Sequence, residues 1–291
     1  MIDGEPRVCV GISTFNHERH IARAIESVLA QKTDFPVGLV VHDDCSTDGT
    51  AEIVRGYAKA HPDRVSAILQ EENQFSQGRR ILPILMAAMQ GTYFALLDGD
   101  DWWSHPGKLQ AQTDLLDADP GCVLCQTLTA YVDERTGRAV QVFPPPPYRR
   151  QTLECRDLVH GNFIKTSAVM IRSSAIPELP PEIHELKFGD YPIFAMIARS
   201  GQIGIVPEVM TAYRIHGGNL WVGRRVSARR EATREVLRFL ARHLGQELGA
   251  EFAEAAEARS ARKRPPLPVV VDEAWHLLVT RLRVALSLPP R

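Results

Sequence analysis

The feature that most restricts this chain is an alternation that fills its first hundred residues. Val8 to Ile12 is an apolar run of strand length, and "VGLVV" (37–41), "RVSAIL" (64–69) and Tyr93 to Leu97 repeat it. Between the first two, Ile21, Ala24, Ile25, Val28 and Leu29 recur at i, i+3, i+4, i+7 and i+8, the apolar stripe of a helix. Ile53, Val54, Tyr57 and Ala58 mark a second helix, and "ILPILMAAMQ" a third, with Pro83 near its start where proline is tolerated. Strand–helix–strand repetition of this kind predicts a parallel sheet covered on both faces. Ligands of such sheets bind outside the carboxyl ends of the strands.

Polar clusters fall at those ends. Ser13, Thr14 and Asn16 follow the first strand, and Asp43, Asp44, Ser46 and Asp48 the second. Asn73, Arg79 and Arg80 follow the third. The fourth runs into "YFALLDGDDWW" (93–103), where Asp98, Asp100 and Asp101 crowd three carboxylates into four positions. Like charges this close repel unless a cation sits among them. Two carboxylates of an Asp-x-Asp motif suit Mg²⁺ or Mn²⁺, hard ions that take oxygen ligands and share them with substrate phosphates. A metal-bridged diphosphate is therefore the expected passenger.

After Lys108 the pattern changes. "GKLQAQTDLLDADP" predicts a helix ending before Pro120, "CVLCQTLTAYVD" a strand with a turn at "DERTGR", and "FPPPPYRR" a stiff polyproline connection. "FIKTSAVMIR" reads as a strand, and Ile193, Phe194 and Ile197 as the inner face of a helix closed by Gly201. "IGIVPEVMTAYRIHGGN" returns as strands. From about residue 223, Val236, Leu237, Leu240, Leu244 and Leu248 predict a helix, with Arg230, Arg234, Arg238 and Arg242 along another side. That basic stripe reads as a solvated face, or as contact with an acidic partner or membrane surface. "RKRPPLP" (262–268) is a hinge-like break before a final short helix.

A net charge of −1 gives no overall pull toward nucleic acid. No apolar run approaches the ~20 residues that cross a bilayer. The first residues carry acids where a signal peptide carries bases, so a soluble, cytoplasmic protein is expected. The five cysteines, including the Cys122–Cys125 pair, read as buried thiols.

The stretches "VGISTFNHERHIARAIESVLAQ", "VVHDDCSTDGTAEIV", "NQFSQG", "GTYFALLDGDDWWSHPGKLQAQ", "KFGDYP" and "AYRIHGGN" stand in the order seen in family 2 glycosyltransferases, which the chain resembles over about residues 7–222. The resemblance implies a GT-A fold: an α/β, Rossmann-like, mostly parallel central sheet flanked by helices, here with a C-terminal helical extension. Residues 1–222 would form the GT-A domain, its nucleotide-binding half about 1–105 and its acceptor half about 106–222, with 223–291 the extension. It also implies an inverting, metal-dependent transfer of a sugar from a nucleoside-diphosphate sugar, UDP or dTDP favoured, to a hydroxyl of a saccharide or small-molecule acceptor.

The resemblance places Ser13, Thr14 and Asn16 in the loop that holds the nucleotide, with Asp44 on the base and Asp43 its neighbour. Asp98 would lie near the ribose and metal, Asp100 would ligate the Mn²⁺ or Mg²⁺ directly, and Asp101 is the acid that often follows. Asp190 in "FGDYP" occupies the place of the general base, and His216 that of a further metal ligand. Arg79, Arg80 and Arg214 are candidates to balance diphosphate charge. Cys45 stands where many relatives have glycine.

Each residue has a plainer reading. Asp190 can cap a helix starting near Tyr191, His216 can serve the turn at Gly217, and Trp102 and Trp103 can be core instead of sugar-stacking surfaces, a role also open to Trp221. Thr47 to Thr50 reads as a structural cap, His42 as packing and Lys108 as solvated. Two other functions compete: a Mg²⁺-dependent nucleotidyltransferase, for which "GISTFNHERH" lacks the glycine-rich anion loop, and a non-catalytic nucleotide-sugar binding protein. The C-terminal helices can form a homodimer interface or a peripheral membrane contact.

Overall fold

The computed structural model describes residues 6–145, 152–217 and 226–261. The first half follows the predicted alternation: β1 (Val8–Thr14), α1 (Ile21–Leu29), β2 (Val37–Asp43), α2 (Thr50–Ala60), β3 (Val65–Leu69), α3 (Ile81–Ala87) and β4 (Tyr93–Asp98). Then come β5 (Trp102–Trp103), α4 (Lys108–Ala118), β6 (Cys122–Asp133), β7 (Arg138–Phe143), β8 (Thr152–Leu153) and β9 (Val169–Arg172). The chain continues with α5 (Asp190–Ala198), β10 (Gln202–Ile215), α6 (Val226–His243) and α7 (Gln246–Ala261).

One sheet carries all ten strands, in the order β3-β2-β1-β4-β9-β6-β10-β5, with β7 on β6 and β8 on β10. The first four strands pair in parallel. At β9 the direction reverses, because β9 runs antiparallel to both β4 and β6. The register of β1 sets Ser13 opposite Asp98 on one side and Thr14 opposite Asp43 on the other. Side chains alternate faces along a strand. Val8, Val10 and Ile12 therefore meet α1 and α2 through Ile21, Ala24, Ile25, Val28 and Val54, all at most 1% exposed. Each large aliphatic side chain in that layer contributes about 1.5–3 kcal/mol by leaving water. Cys9 faces the other layer, built from α3, α5 and the last two helices.

The second half departs from expectation in three places. In the segment expected as one strand, a 3₁₀ turn at Thr166–Ala168 precedes a shorter strand, β9. The expected single helix carrying Val236 to Leu248 is two helices, because Gly245 sits at φ +85°, a left-handed conformation that ends α6. Leu248 belongs to α7. The pair shares the main core through Val236, Leu237, Leu240 and Phe252. On α6, Arg234 pairs with Glu231, and Arg238 reaches Glu257 of α7. Residues 146–150 of the polyproline stretch, Trp221 and the expected last helix lie outside the described residues.

The third departure is Lys108, expected in solvent and fully buried. Its ammonium nitrogen lies 2.6 Å from Gln112 Oε1 and 4.1 Å from the centre of the Trp103 ring. Gln112 in turn donates to the carbonyls of Cys125 and Ala168. Burial drives the Lys108 pKa down to about 7. An unfolded lysine keeps its proton to about pH 10.4. Between pH 7 and 9 the unfolded chain therefore binds more protons at this site, and the site's contribution to stability rises with pH. Below pH 7 both states are protonated and that dependence ends. We expect Lys108→Met to be more stable than the parent at pH 7. Urea unfolding from pH 7 to 9 should show the advantage shrinking by up to about 1.4 kcal/mol per pH unit. The comparison cancels the buried cysteines, whose raised pKa values act in the opposite sense.

Candidate active site

Two loops at the carboxyl end of the sheet are stapled together by the residues that "STFN" and "DDCSTDGT" supply. Asn16 adopts φ +56°, which turns its side chain back so that Oδ1 accepts from the Thr47 backbone N–H at 2.8 Å. The Asn16 N–H donates to Ser46 Oγ, also at 2.8 Å. Asp43 then accepts from Ser46 twice, from its N–H at 3.0 Å and its hydroxyl at 2.5 Å. Asp48 takes the Thr50 N–H at the start of α2, as the structural reading of that stretch expects. Cys45 sits at φ +64°. Glycine reaches that region without steric cost, which explains why a glycine suits this position. The cysteine adopts it with its thiol directed to the Glu71 carbonyl at 3.3 Å.

Asp44 organises a third loop. Its two carboxylate oxygens accept the backbone N–H groups of Gln74 and Phe75, at 2.8 and 3.0 Å, and only 3% of the residue is exposed. The loop after β3 is thereby folded over the end of β2. Arg79 is exposed on it and donates to Gln74 Oε1. Arg80 leaves it in another direction and donates from Nε and Nη2 to the His184 carbonyl at 3.2 and 3.1 Å. The segment leading to Asp190 is thus tied to the loop that Asp44 holds.

Asp98 ends β4 within reach of two hydroxyls, Ser13 Oγ at 3.3 Å and Ser167 Oγ at 3.2 Å. Gly99 follows because a Cβ there would lie 2.6 Å from Thr14 Oγ1 and 3.0 Å from His17 Nδ1. The glycine of this motif makes room for the β1 loop, and its φ is not left-handed. Asp100 then stands with Oδ2 2.9 Å from His216 Nε2 and 3.9 Å from His17 Nε2. Asp101 lies beneath the corner. It is fully buried, and its oxygens hold Ser167 Oγ at 2.5 Å and the Arg214 N–H at 2.8 Å. As placed, both of its oxygens serve the frame, which leaves Asp98 and Asp100 as the carboxylates nearer the surface.

The electrostatics separate the three acids. Burial, then the charge of Asp100, raises Asp98 to about 6. Burial raises Asp101 well above the carboxylate range, and both neighbours add to it. Asp100 also feels burial, but the hydrogen bond from His216 and the charge of His17 outweigh it, and its pKa falls. A pair that repels in this way, with Asp100 held ionised, is a donor set suited to a divalent cation. His216 lies where a third ligand is wanted.

Asp190 is the first residue of α5, so Gly189 and not Asp190 is the N-cap. Its carboxylate accepts from Asn162 Nδ2 at 3.4 Å and from the open N–H of Tyr191. Burial raises its pKa, against the opposing pull of Tyr191 and Lys165. Lys165 is a cation among these acids. It lies 3.8 Å from the Tyr213 ring centre, and its charge acts on Asp98 and Asp190 as theirs acts on it. Burial works against its proton, but Tyr131, Asp101 and Asp98 outweigh burial and raise its pKa.

Sequence reasoning missed Lys165 and Ser167, which sit 67 and 69 positions beyond Asp98 in a stretch with no motif. Only the antiparallel return of β9 beside β4 brings them to the acidic corner. His17 and His20, inside a quoted motif, carried no assignment. Trp102 and Trp103 are 3% and 4% exposed and belong to the core. Trp103 donates to the Ser167 carbonyl at 2.8 Å, and the guanidiniums of Arg23 and Arg214 stack on Trp102. His42 is buried, as its packing role requires.

Four likenesses to known proteins bear on this arrangement. The chain is 33% identical over 209 residues to an uncharacterized protein of Mycobacterium tuberculosis, covering 72% of this chain and 58% of that one. It thus spans little more than half the length of that relative. Its fold is similar to S. aureus TarS, solved with UDP-GlcNAc, at a TM-score of 0.64 and 19% identity over 87% of this chain and 73% of that chain. It is also similar to the mannosyltransferase PcManGT from Pyrobaculum calidifontis, solved with GDP-Man and Mn²⁺, at a TM-score of 0.58 and 20% identity over 98% and 81%. These likenesses bear out the expected GT-A fold. The model of the family described as "Glycosyl transferase family 2" matches residues 9–176, more than half of the sequence, and the chain belongs to that family.

Proposed function

We propose that this protein is an inverting, metal-dependent glycosyltransferase that moves a sugar from a nucleoside-diphosphate sugar to a hydroxyl of a saccharide or small-molecule acceptor. The observation that carries the reading is the carboxylate pair at the end of β4. Asp98 is close enough to Asp100 for that charge to raise its pKa, it stands between the hydroxyls of Ser13 and Ser167, and it lies within electrostatic reach of Asp190. The donor sugars bound in the two similar structures, one UDP-linked and one GDP-linked, support a nucleoside diphosphate as leaving group. The Mn²⁺ in one of them supports a divalent ion beside it.

In this reading Asp98, Asp100 and His216 hold Mn²⁺ or Mg²⁺. An ion held there would supply electrostatic stabilisation for a departing diphosphate. The stapled loops bearing Ser13, Thr14, Asn16, Asp43 and Asp44 shape the nucleotide pocket, with UDP or dTDP favoured. Arg79 is the arginine best disposed to help the diphosphate. Arg80 is committed to the His184 carbonyl, and Arg214 donates from Nε to the Asp100 carbonyl at 2.8 Å. Asp190 takes the proton of the acceptor hydroxyl as it attacks. Attack opposite the diphosphate inverts the anomeric carbon, and no glycosyl-enzyme intermediate forms. The raised pKa of Asp190 makes it a better proton acceptor than an ordinary carboxylate.

Dialysis against EDTA should abolish transfer from nucleotide sugars, and added Mn²⁺ should restore it. Transfer that persists in EDTA overturns the metal reading. A thermal-shift panel of UDP-, dTDP- and GDP-sugars with Mn²⁺ should single out the donor, since a ligand at ~100 times its Kd stabilises a fold by roughly 2.7 kcal/mol.

Asp190→Asn should lower kcat by about 10²–10⁴-fold with donor Kd nearly unchanged, measured by single-turnover kinetics and calorimetry. Unaltered turnover would remove Asp190 from the role of base and favour a reading in which the pocket only binds. In the parent enzyme, rates should fall as acid protonates Asp190. That limb should begin above the ordinary aspartate range, because burial raises its pKa.

A further inference from the structure

Three segments far apart in sequence bring a second set of ligand atoms together beside the acidic corner. His20 precedes α1, Glu134 follows β6, and His216 follows β10. One potential ligand atom from each lies within 4.8 Å of the other two. His20 Nε2 and Glu134 Oε1 are 3.3 Å apart, and the His20 and His216 rings are centred 5.4 Å from each other. Side-chain exposure is 12% for each histidine and 32% for Glu134, so the set is sheltered with one open side.

We propose that His20, Glu134 and His216 form a transition-metal site of the zinc class, separate from the Asp98–Asp100 pair. Two imidazoles and one carboxylate are the donors of open zinc sites, whose bonds run about 2.0–2.2 Å. Ligand atoms around such a tetrahedral ion lie roughly 3.3 Å apart, which the His20–Glu134 pair already matches. His216 offers a ligand atom within 4.8 Å of both. Imidazole nitrogen favours zinc and its neighbours over Mg²⁺, which wants oxygen. Arg214 Nη1 stands 3.9 Å from Glu134 Oε1. That guanidinium opposes a cation, and the site holds only if Glu134 turns from it to the metal.

His216 is common to both constellations, since its Nε2 also meets Asp100; an ion held by the trio takes this imidazole, and the diphosphate's ion then rests on Asp98 and Asp100. An ion held by the trio would fix the end of β10 to the start of α1 and to the turn after β6. The site would then brace the wall of the acidic corner without being the ion that contacts a diphosphate.

The test uses the full chain, stripped with chelator and equilibrated with zinc alone, with no nucleotide. Equilibrium dialysis should show zinc bound at the trio and a raised thermal midpoint. His20→Gln and Glu134→Gln should each weaken that binding roughly ten-fold or more and abolish the zinc-dependent shift, while Asp98→Asn leaves both intact. Midpoints without zinc report whether each variant still folds, and using two variants guards against failure of either one. No zinc binding, or equal binding by parent and both variants, overturns the proposal. Equal loss in Asp98→Asn also overturns it, because the ion then sits in the acidic corner. These readouts involve no turnover, so the result stands apart from the EDTA and Asp190 experiments.

Discussion

The site depends on one buried carboxylate. Asp101 binds Ser167 from the turn before β9 and the Arg214 N–H of β10, and so fastens the end of β4 to two strands of the other half. Leaving such a group unpaired inside a protein costs several kcal/mol, so the three segments are held in one arrangement. Ser167 also reaches Asp98 from its hydroxyl at 3.2 Å. A hydroxyl has one hydrogen and cannot donate to both acids at once. The high pKa of Asp101 provides a way out: when protonated, Asp101 can itself donate to Ser167, whose hydrogen is then free for Asp98. The frame and the acidic corner thus share the Ser167 hydroxyl as well as a backbone.

Reversal of the sheet puts that knot where it is. Parallel strands β1 and β4 deliver Ser13 and Asp98 side by side through their register. The antiparallel strand β9 then returns beside β4, and the residues just before it arrive at the carboxyl end of the parallel half. Lys165 and Ser167 come from there. An all-parallel sheet would put the carboxyl end of β9, not its start, beside the acids. Mixed topology therefore adds a second hydroxyl, Ser167, and the Lys165 ammonium to the acidic corner.

What could be read in the sequence follows from this. Strands β1 to β4 and helices α1 and α2 were legible because their apolar periods are clean and local, and the polar clusters at their ends fell at the sheet edge predicted for ligands. The Asp-x-Asp motif was visible for the same reason. Its glycine sits in the turn that follows β4, and the close approach by Thr14 and His17 that also demands it is a fact of packing that no local pattern carries. Lys108 misled because a lysine opening a helix is ordinarily solvated. Only the fold shows the Gln112 carbonyl and the Trp103 face that receive it. The break at Gly245 was missed because the leucine stripe runs through it almost in phase.

The tie between Arg80 and His184 extends the argument from the corner to the opposite wall. Asp44 fixes the loop after β3 by two backbone hydrogen bonds, and Arg80, the last residue before α3, grips the segment that leads to Asp190. The aliphatic stem of Arg80 packs at Gly189, where a Cβ would come within 3.2 Å of it. A larger residue at position 189 would push against that stem and turn the first residue of α5 with it. Asp190 is therefore positioned from the loop after β3, through one arginine and one glycine. Whatever orders the loop held by Asp44 also sets where the proposed base stands, so the two walls of the proposed site are mechanically joined.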